Sequence, residues 1–426
     1  DEEGEWYRYH HLFSELLLYE LRSIEPDLVP ALRGRAGAWL EGAGYVEGAI
    51  RQATGAEDHG RAGLLIARHW YGYAVAGHYA TVERWLGSLP DGTVSRDAAL
   101  CLVKAWLCAL SGRREECEEY LALAEGIRRE GPLPDGTVSV ESGAATLRAV
   151  FGFGGIGEMV EAARRADALG LDRTSPQAPL VKLGVGISWY FSGELARARR
   201  ALEGGLRLVN DGHPVLRIGM LSCLSFVAGD EGHPEEAESL AREARNLVDR
   251  FGLQAIPQST WAPIALGRVL AGRGRPEEAQ EELEGALSAR RRLPGLSPWP
   301  TLVGLLALAQ VRAALGDRAG GREPLAEAGA ILETNLDAGI FPELLERQER
   351  KVRARRPREG QLDVELTERE LDVLRLLDGD LSTRHMAENL YVAPSTVRTQ
   401  VKSIYRKLGV SSRAEAAEEA RARGLI

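Results

Sequence analysis

Apolar and polar positions alternate along this chain in units of 33 to 43 residues. A glycine stands at 44, 77, 112, 155, 193, 232, 274 and 316, and five positions after each comes a small or modest apolar residue: Ala49, Val82, Cys117, Val160, Ala198, Ala237, Ala279 and Gly321. In seven of the eight units the apolar pattern continues four and seven positions on, as in Val82, Leu86, Leu89 or Ala279, Leu283, Ala286. Val160 is the exception, since Arg164 and Asp167 follow it. Such spacing draws one stripe down a helix. Ahead of each glycine lies another helical stretch, for example "CLVKAWLCALSG" or "TLVGLLALAQVRAALG". Each unit therefore reads as helix, glycine turn, helix. Glycine suits the turn because it tolerates positive φ where the first helix ends. The pattern predicts that residues 26–345 are nearly all helix, in antiparallel pairs around a shared superhelical groove.

A period of this size with this pattern resembles tetratricopeptide repeats in a loose, lengthened form. Trp70, Trp106, Trp189 and Trp261 fall in first helices of the units. They are read as repeat-to-repeat packing in preference to a groove lining that holds a ligand or peptide, because large aromatics dominate core burial. The segment "GFGGIG", Gly152 to Gly157, matches a dinucleotide-binding fingerprint. The stretch before it, "SGAATLRAVF", reads as helix where that fingerprint needs a strand, so no cofactor site is assigned. The chain also contains no G-x-x-x-x-G-K-[ST] phosphate loop, no G-x-S-x-G elbow and no His pair at metal-binding helical spacing. No catalytic or metal residue is assigned, and the chain is not read as an enzyme.

The pattern changes after Phe341. "PELLERQERKVRARRPREGQLDVE" starts helical, turns basic, and is broken by Pro357 and Gly360; residues 346–362 are read as a basic linker. Four short helices follow within 363–426. Thr367 caps the first, with Glu370 completing a capping box, and Leu371, Leu374 and Leu377 form its inner stripe. Ser382 caps the second, whose inner residues are Met386, Ala387 and Leu390. Pro394 opens the third, with Val397, Val401, Ile404 and Leu408 inside and Arg398, Thr399, Lys402 and Arg406 outside. Gly409 ends it, and Ser411 or Ser412 caps the fourth. Two helices joined by the tight turn "LYVAP", the second basic on its outer face, form a helix-turn-helix.

Charge sharpens this picture. The chain is acidic, with 62 Asp and Glu against 53 Lys and Arg, but Arg347–Ile426 holds 17 basic and 13 acidic residues. A basic end on an acidic body suggests a polyanion at that end, although the count alone favours a solvated helical face. Cys101, Cys108, Cys117 and Cys223 form no C-x-x-C pair and read as buried, reduced thiols. No apolar stretch reaches the length of a membrane span, and "DEEGEWYRYHH" at the start is no signal peptide, so a cytoplasmic protein without membrane association is expected. Residue 1 is not Met and is read as an internal start.

Residues 366 to 413 resemble the LuxR-type, or GerE-type, DNA-binding domain. The matching positions are Leu366-Thr367, Arg369-Glu370, Val373-Leu374, Leu381-Ser382, Ala387, Leu390, Val392, Thr396 to Thr399, Val401, Ile404, Lys407-Leu408, Val410 and Arg413, with Glu415-Ala416 just beyond. The resemblance implies base contacts from Arg398, Thr399 and Lys402 in the major groove, and phosphate contacts from Thr383, Ser395, Thr396 and Lys407. It also implies a dimerisation helix bearing Ala414, Ala417 and Ala420; packing of these alanines inside their own domain is the alternative. Ala393 stands where the family usually has a capping Ser, Gln400 replaces a common His, and Thr383 and His385 replace Asn and Glu. "YRYHHLFSELLLYELR", Tyr7 to Arg22, resembles the segment that follows the ATPase and winged-helix modules of large MalT-like LuxR regulators, so residues 1–25 are read as a junction and an ATPase is expected before residue 1. The expected fold is all-α: a tetratricopeptide-like superhelix at 26–345, then a four-helix helix-turn-helix domain. The expected function is transcription regulation, with the array sensing an inducer or protein partner, the domain binding double-stranded DNA as a homodimer, and RNA polymerase a further partner. A protein-interaction scaffold with only weak DNA affinity is the alternative.

Overall fold

The computed structural model describes residues 10–169, 176–334, 337–353, 366–377, 379, 381–408, 410, 412–422 and 425. All regular structure among them is helical, and the chain divides after Val352 into two compact units. After α1 (His11–Ile24), the first unit is built from eight helix pairs: α2 (Leu28–Gly42) with α3 (Val46–Gly55), α4 (His59–Val75) with α5 (Tyr79–Gly87), α6 (Ala98–Leu110) with α7 (Arg114–Gly126), α8 (Val140–Phe151) with α9 (Ile156–Ala168), α10 (Ala178–Phe191) with α11 (Leu195–Leu206), α12 (Pro214–Asp230) with α13 (Pro234–Arg250), α14 (Trp261–Gly272) with α15 (Pro276–Arg291), and α16 (Trp299–Ala314) with α17 (Arg318–Glu333). The helix α18 (Phe341–Arg353) follows them.

All eight repeat glycines take positive φ, from +73° at Gly274 to +106° at Gly155. In seven units the residue after the glycine donates its N–H to the carbonyl five residues back, as Tyr45 does to Leu40 (2.8 Å), Arg113 to Cys108 (2.8 Å) and Arg275 to Leu270 (3.0 Å). This left-handed stop uses up carbonyls that the ending helix would otherwise orphan. That same residue is the N-cap, and the second helix begins directly after it. The eighth case explains Val160. Gly155 is itself the N-cap of α9, so the helix starts one residue early and the buried stripe becomes Met159, Ala163 and Ala166 instead.

First and second helices differ as their surroundings demand. First helices pack on each other in sequence, α4 on α6 through to α14 on α16, and α4 also meets α12. They are enclosed on nearly all sides: in α12, every residue from Val215 to Ala228 except Arg217 is buried. Second helices are amphipathic. In α13 only Ala237, Ala241, Ala244, Leu247 and Val248 are buried, and Pro234, Glu235 and Glu236 open it, the acids favoured by the N-terminal dipole. The interior is not an open groove. One continuous core runs from Ala49 to Val352, and three of the turns meet a connection four units further along. A methyl added to Gly77 would touch Leu253 and Ile256, Gly112 abuts Gly295 and Leu296, and Gly155 abuts Asp337.

The Gly152–Gly157 segment is the turn between α8 and α9, and a helix precedes it. Asp337 occupies the N-terminus of α9: its Oδ2 accepts the Gly157 N–H (2.7 Å) and its backbone carbonyl accepts that of Ile156 (2.9 Å). The first residues of the expected 346–362 linker are helix instead. Phe341 packs on Trp299 and Phe191 (5.7 and 5.3 Å between ring centroids) and Val352 is buried, so apolar contacts continue α18 onto the array. Pro357 and Gly360 lie outside the described residues, as do Tyr7 to Tyr9 of the junction. All four cysteines are free and buried, and burial pushes the Cys101 and Cys108 thiols up to about 11.

Gly232 has positive φ but open space around it, whereas a methyl at Gly295 would run into the Gly112 backbone. Gly232→Ala should therefore cost about 1 kcal/mol from backbone strain alone. Gly295→Ala should cost more, about 2 kcal/mol or above, because backbone must move. Thermal unfolding of the two variants side by side checks the ranking.

Candidate functional site

The second unit contains α19 (Glu368–Leu377), α20 (Thr383–Asn389), α21 (Pro394–Leu408) and α22 (Arg413–Ala422) around a core of Val373, Leu374, Leu377, Met386, Ala387, Val397, Ile404 and Leu408. The expected capping box forms: the Glu370 N–H donates to Thr367 Oγ1 (3.3 Å), and the Thr367 N–H donates to Glu370 Oε2 (2.8 Å). Ser382 Oγ accepts the His385 N–H (3.3 Å) and caps α20. Between α20 and α21 the chain turns at Tyr391, which is 95% exposed with φ +53°, and the Val392 N–H returns to the Ala387 carbonyl (3.0 Å). This is the same stop that ends first helices in the array, here without glycine. Ala393 accepts the Thr396 N–H through its carbonyl (2.9 Å), but its side chain has no cap to offer.

The inner residues of α21 turn Arg398, Thr399 and Lys402 outward onto one exposed face. Thr399 Oγ1 donates to the Ser395 carbonyl (3.0 Å), and no acid among the described residues pairs with Arg398 or Lys402. Ser395 and Thr396 are exposed at the start of the same helix, and Thr383 is half-buried at the start of α20. The Arg406 side chain, Gly409 and Ser411 lie outside the described residues.

Two groups of expected site residues are placed differently. Lys407 is turned inward: its Nζ lies 2.6 Å from Glu370 Oε2, with the lysine side chain 13% exposed. Ser403 Oγ donates to the other oxygen, Glu370 Oε1 (2.8 Å). Burial works against ionisation of Glu370, yet Lys407, Ser403 and both donors of Thr367 outweigh it and hold the carboxyl at about 2. Lys407 thus ties α21 to α19 through this ion pair. On α22, Ala416, Ala417 and Ala420 are buried, the first and last within the domain's own core. Ala417 and Ala420 therefore do not form an open dimer surface; the Ala414 side chain lies outside the described residues. Small side chains are needed here because α22 packs closely on α19 and α21.

Arg413 was legible only as a family match. Its guanidinium donates to the carbonyls of Leu377 (3.0 Å) and Leu381 (2.6 Å), with Gly379 a third acceptor. It satisfies the C-terminal end of α19 and orients α22.

The array holds a second feature, a cavity of about 90 Å³ lined mainly by first helices from successive repeats. Three of the four singled-out tryptophans meet there. Trp70 and Trp106 lie 6.1 Å apart, Trp106 packs edge-on to Phe151 (5.7 Å), and Trp261 is part of the same lining. Trp189 does not join them: Arg164 and Arg197 cover its ring (5.3 and 4.6 Å). Tyr71, Gln258, Arg290 and Ser297 also line the cavity. The stripe that runs through Ala279, Leu283 and Ala286 reaches Arg290 four residues later, and Arg290 is 5% exposed. An arginine at a buried-stripe position was the available signal, hidden by its place in the run Arg290-Arg291-Arg292. Among the described residues no three His, Cys, Asp or Glu groups form a metal cluster.

The first unit is thus an all-helical repeat array, and the second is a helix-turn-helix with a basic outer face. Residues 364–420 match the family of bacterial regulatory proteins of the luxR type, so the C-terminal domain is of the LuxR type. It resembles the HTH-type transcriptional regulator MalT of Serratia proteamaculans (strain 568), with 26% identity over 322 residues. The match takes in 74% of this chain, while the chain spans 35% of that relative's length. The apo form of RapI aligns over 89% of this chain and 97% of its own at 10% identity and a TM-score of 0.33, a superposition too loose to argue from. No described helix is long and apolar enough to cross a membrane.

The Glu370 carboxyl is depressed from its ordinary range to about 2. The stability it contributes should be present above about pH 4.5 and fade as pH falls toward 2. Glu370→Ala removes the buried carboxylate that Lys407, Ser403 and Thr367 share and should cost about 3 kcal/mol, read as faster amide exchange in α19 and α21. Ala393→Ser should act in the opposite direction, slowing exchange at the first turn of α21 by about 1 kcal/mol of added protection.

Proposed function

We propose that this chain is a sequence-specific transcription regulator in which α21 enters the DNA major groove and the helical array receives the controlling signal. The observation that supports the reading most directly is the outer face of α21, where Arg398, Thr399 and Lys402 are exposed together and the two cations lack acidic partners among the described residues. Arg can fork onto guanine O6 and N7, and hydroxyls and the remaining cations hold the backbone. Ser395, Thr396 and Thr383, near the starts of α21 and α20, suit phosphate. The named relative is itself a transcriptional regulator, which supports the same reading.

One recognition helix spans few base pairs, so two copies on two half-sites are proposed. The surface that joins them is not the inward stripe of α22. RNA polymerase is proposed as the downstream partner, in the bacterial cytoplasm. The small volume of the array's interior cavity, about 90 Å³, favours a small ligand over a peptide as its signal. A scaffold would protect no defined DNA sequence, so selection of bound DNA followed by footprinting separates the readings.

Arg398→Ala should lose about 1–3 kcal/mol of affinity for a selected site and relax the preference at one base position. Lys407→Ala should instead lower domain stability and leave the base preference of the folded fraction intact. Binding titrations against the selected site and single-base variants check both; equal relaxation by the two changes would refute the assignment.

A further inference from the structure

We infer that the interior cavity of the array is a receptor site for a small aromatic carboxylate, with its ring among the tryptophans and its carboxylate on Arg290. The inference rests on the sensor reading above and supplies its chemical class. Arg290 is the anchor. Its Nε donates to Thr301 Oγ1 (2.7 Å), one Nη to Thr260 Oγ1 (3.1 Å) and the other to the Ser297 carbonyl. All three acceptors are neutral, and no carboxylate among the described residues pairs with it. A guanidinium has five N–H donors, so one on each terminal nitrogen is left without an acceptor. Burial pulls its pKa down to about 10, which still leaves a full positive charge at neutral pH. A buried cation without a counter-ion is costly, and a carboxylate matches the guanidinium fork.

Other polar atoms at the cavity wall are also unsatisfied. Tyr71 OH, Gln258 Oε1 and Ser297 Oγ are buried without a hydrogen-bond partner. Burial first, and then the charge of Asp135, raise the Tyr71 phenol above its ordinary range, so it stays a donor. Gln258 is fixed from its other end, where its Nε2 donates to the Leu110 carbonyl (3.0 Å). Asp135 is engaged elsewhere, with Trp70 Nε1 (2.8 Å) and Gln177 Nε2 (3.2 Å). The rest of the wall is apolar, from Leu183 and Ile187 to Val215 and Leu216. An apolar cavity with one cation and a few convergent polar groups is the form of a small-molecule site. At about 90 Å³ it is of the order that holds a single small ring. One cation suits a monoanion better than a phosphate dianion.

The test uses the full chain. Benzoate, phenylacetate and indole-3-acetate are titrated calorimetrically, each against its neutral alcohol, with chloride as a further arm. At least one carboxylate should saturate at one site and bind about tenfold or more tighter than its alcohol, as charge-assisted bonding to a buried cation implies. Arg290→Met should fold, as judged by circular dichroism, and should reduce that preference to about twofold or less. A role for Arg290 confined to holding Thr260, Thr301 and Ser297 would change melting temperature but leave the preference in place. The inference is overturned if no carboxylate binds, if carboxylate and alcohol bind alike, if chloride at equal ionic strength abolishes the difference, or if the preference survives in Arg290→Met. DNA footprinting is run in parallel. A chain that footprints but shows no preference loses the carboxylate assignment alone, and one that binds carboxylate without protecting DNA loses the regulator reading.

Discussion

The contact on which the rest of the array depends is between a repeat turn and a connection four units away. Gly77 meets Leu253 and Ile256, Gly112 meets Gly295 and Leu296, and Gly155 meets Asp337. Nearest-neighbour stacking alone would leave first helices with one face toward a groove. Once distant loops touch, that face is enclosed as well. First helices must then be apolar around most of their circumference, as α6, α10, α12 and α16 are. Second helices stay outside and keep a single stripe. The difference in composition between the two helix types follows from this closure.

Closure also determines what was legible in the chain. Turn and stripe are local, so the eight glycines and seven of the stripes could be read from spacing. The long-range contacts could not. Nothing around "GFGGIG" shows that Asp337, some 180 positions away, caps the helix that follows it. The shift from Val160 to Met159 comes from one residue dropped out of a turn, which only backbone geometry reveals. The linker was placed too early because "ERQERKVR" is polar apart from Val352, and one buried valine was enough to keep those residues helical against the array.

In the second unit the capping box, both inner stripes and the outward basic face were readable, since all depend on spacing within one helix or across one tight turn. Lys407 and the alanines of α22 depend on how helices pack. Lys407 sits beside Arg406 in the chain and looks like another surface cation, yet the rotation that buries Ile404 and Leu408 carries Lys407 toward Glu370. Ala417 and Ala420 look like a contact surface because they are small. They are small because a neighbouring helix of the same domain lies against them.

Cations are paired with care across the exterior of the array. Arg199 holds Glu231 and Glu236, Arg273 holds Glu235 and Glu238, Arg291 holds Glu327, and Arg312 holds Glu284 and Glu323, each bridge linking one repeat to the next or helix to helix within it. Exposed pairs of this kind contribute little stability individually. Arg398 and Lys402 on α21, and Arg290 in the interior, have no acidic partner among the described residues. The first two face water, where an unpaired cation costs little and is available to a polyanion. Arg290 is enclosed, where an unpaired cation is expensive, and its neighbours offer only neutral oxygens. The same absence of a carboxylate therefore means different things in the two places. On α21 it keeps a surface open to phosphate and base edges. In the cavity it leaves a binding energy unspent until an anion of the right shape arrives.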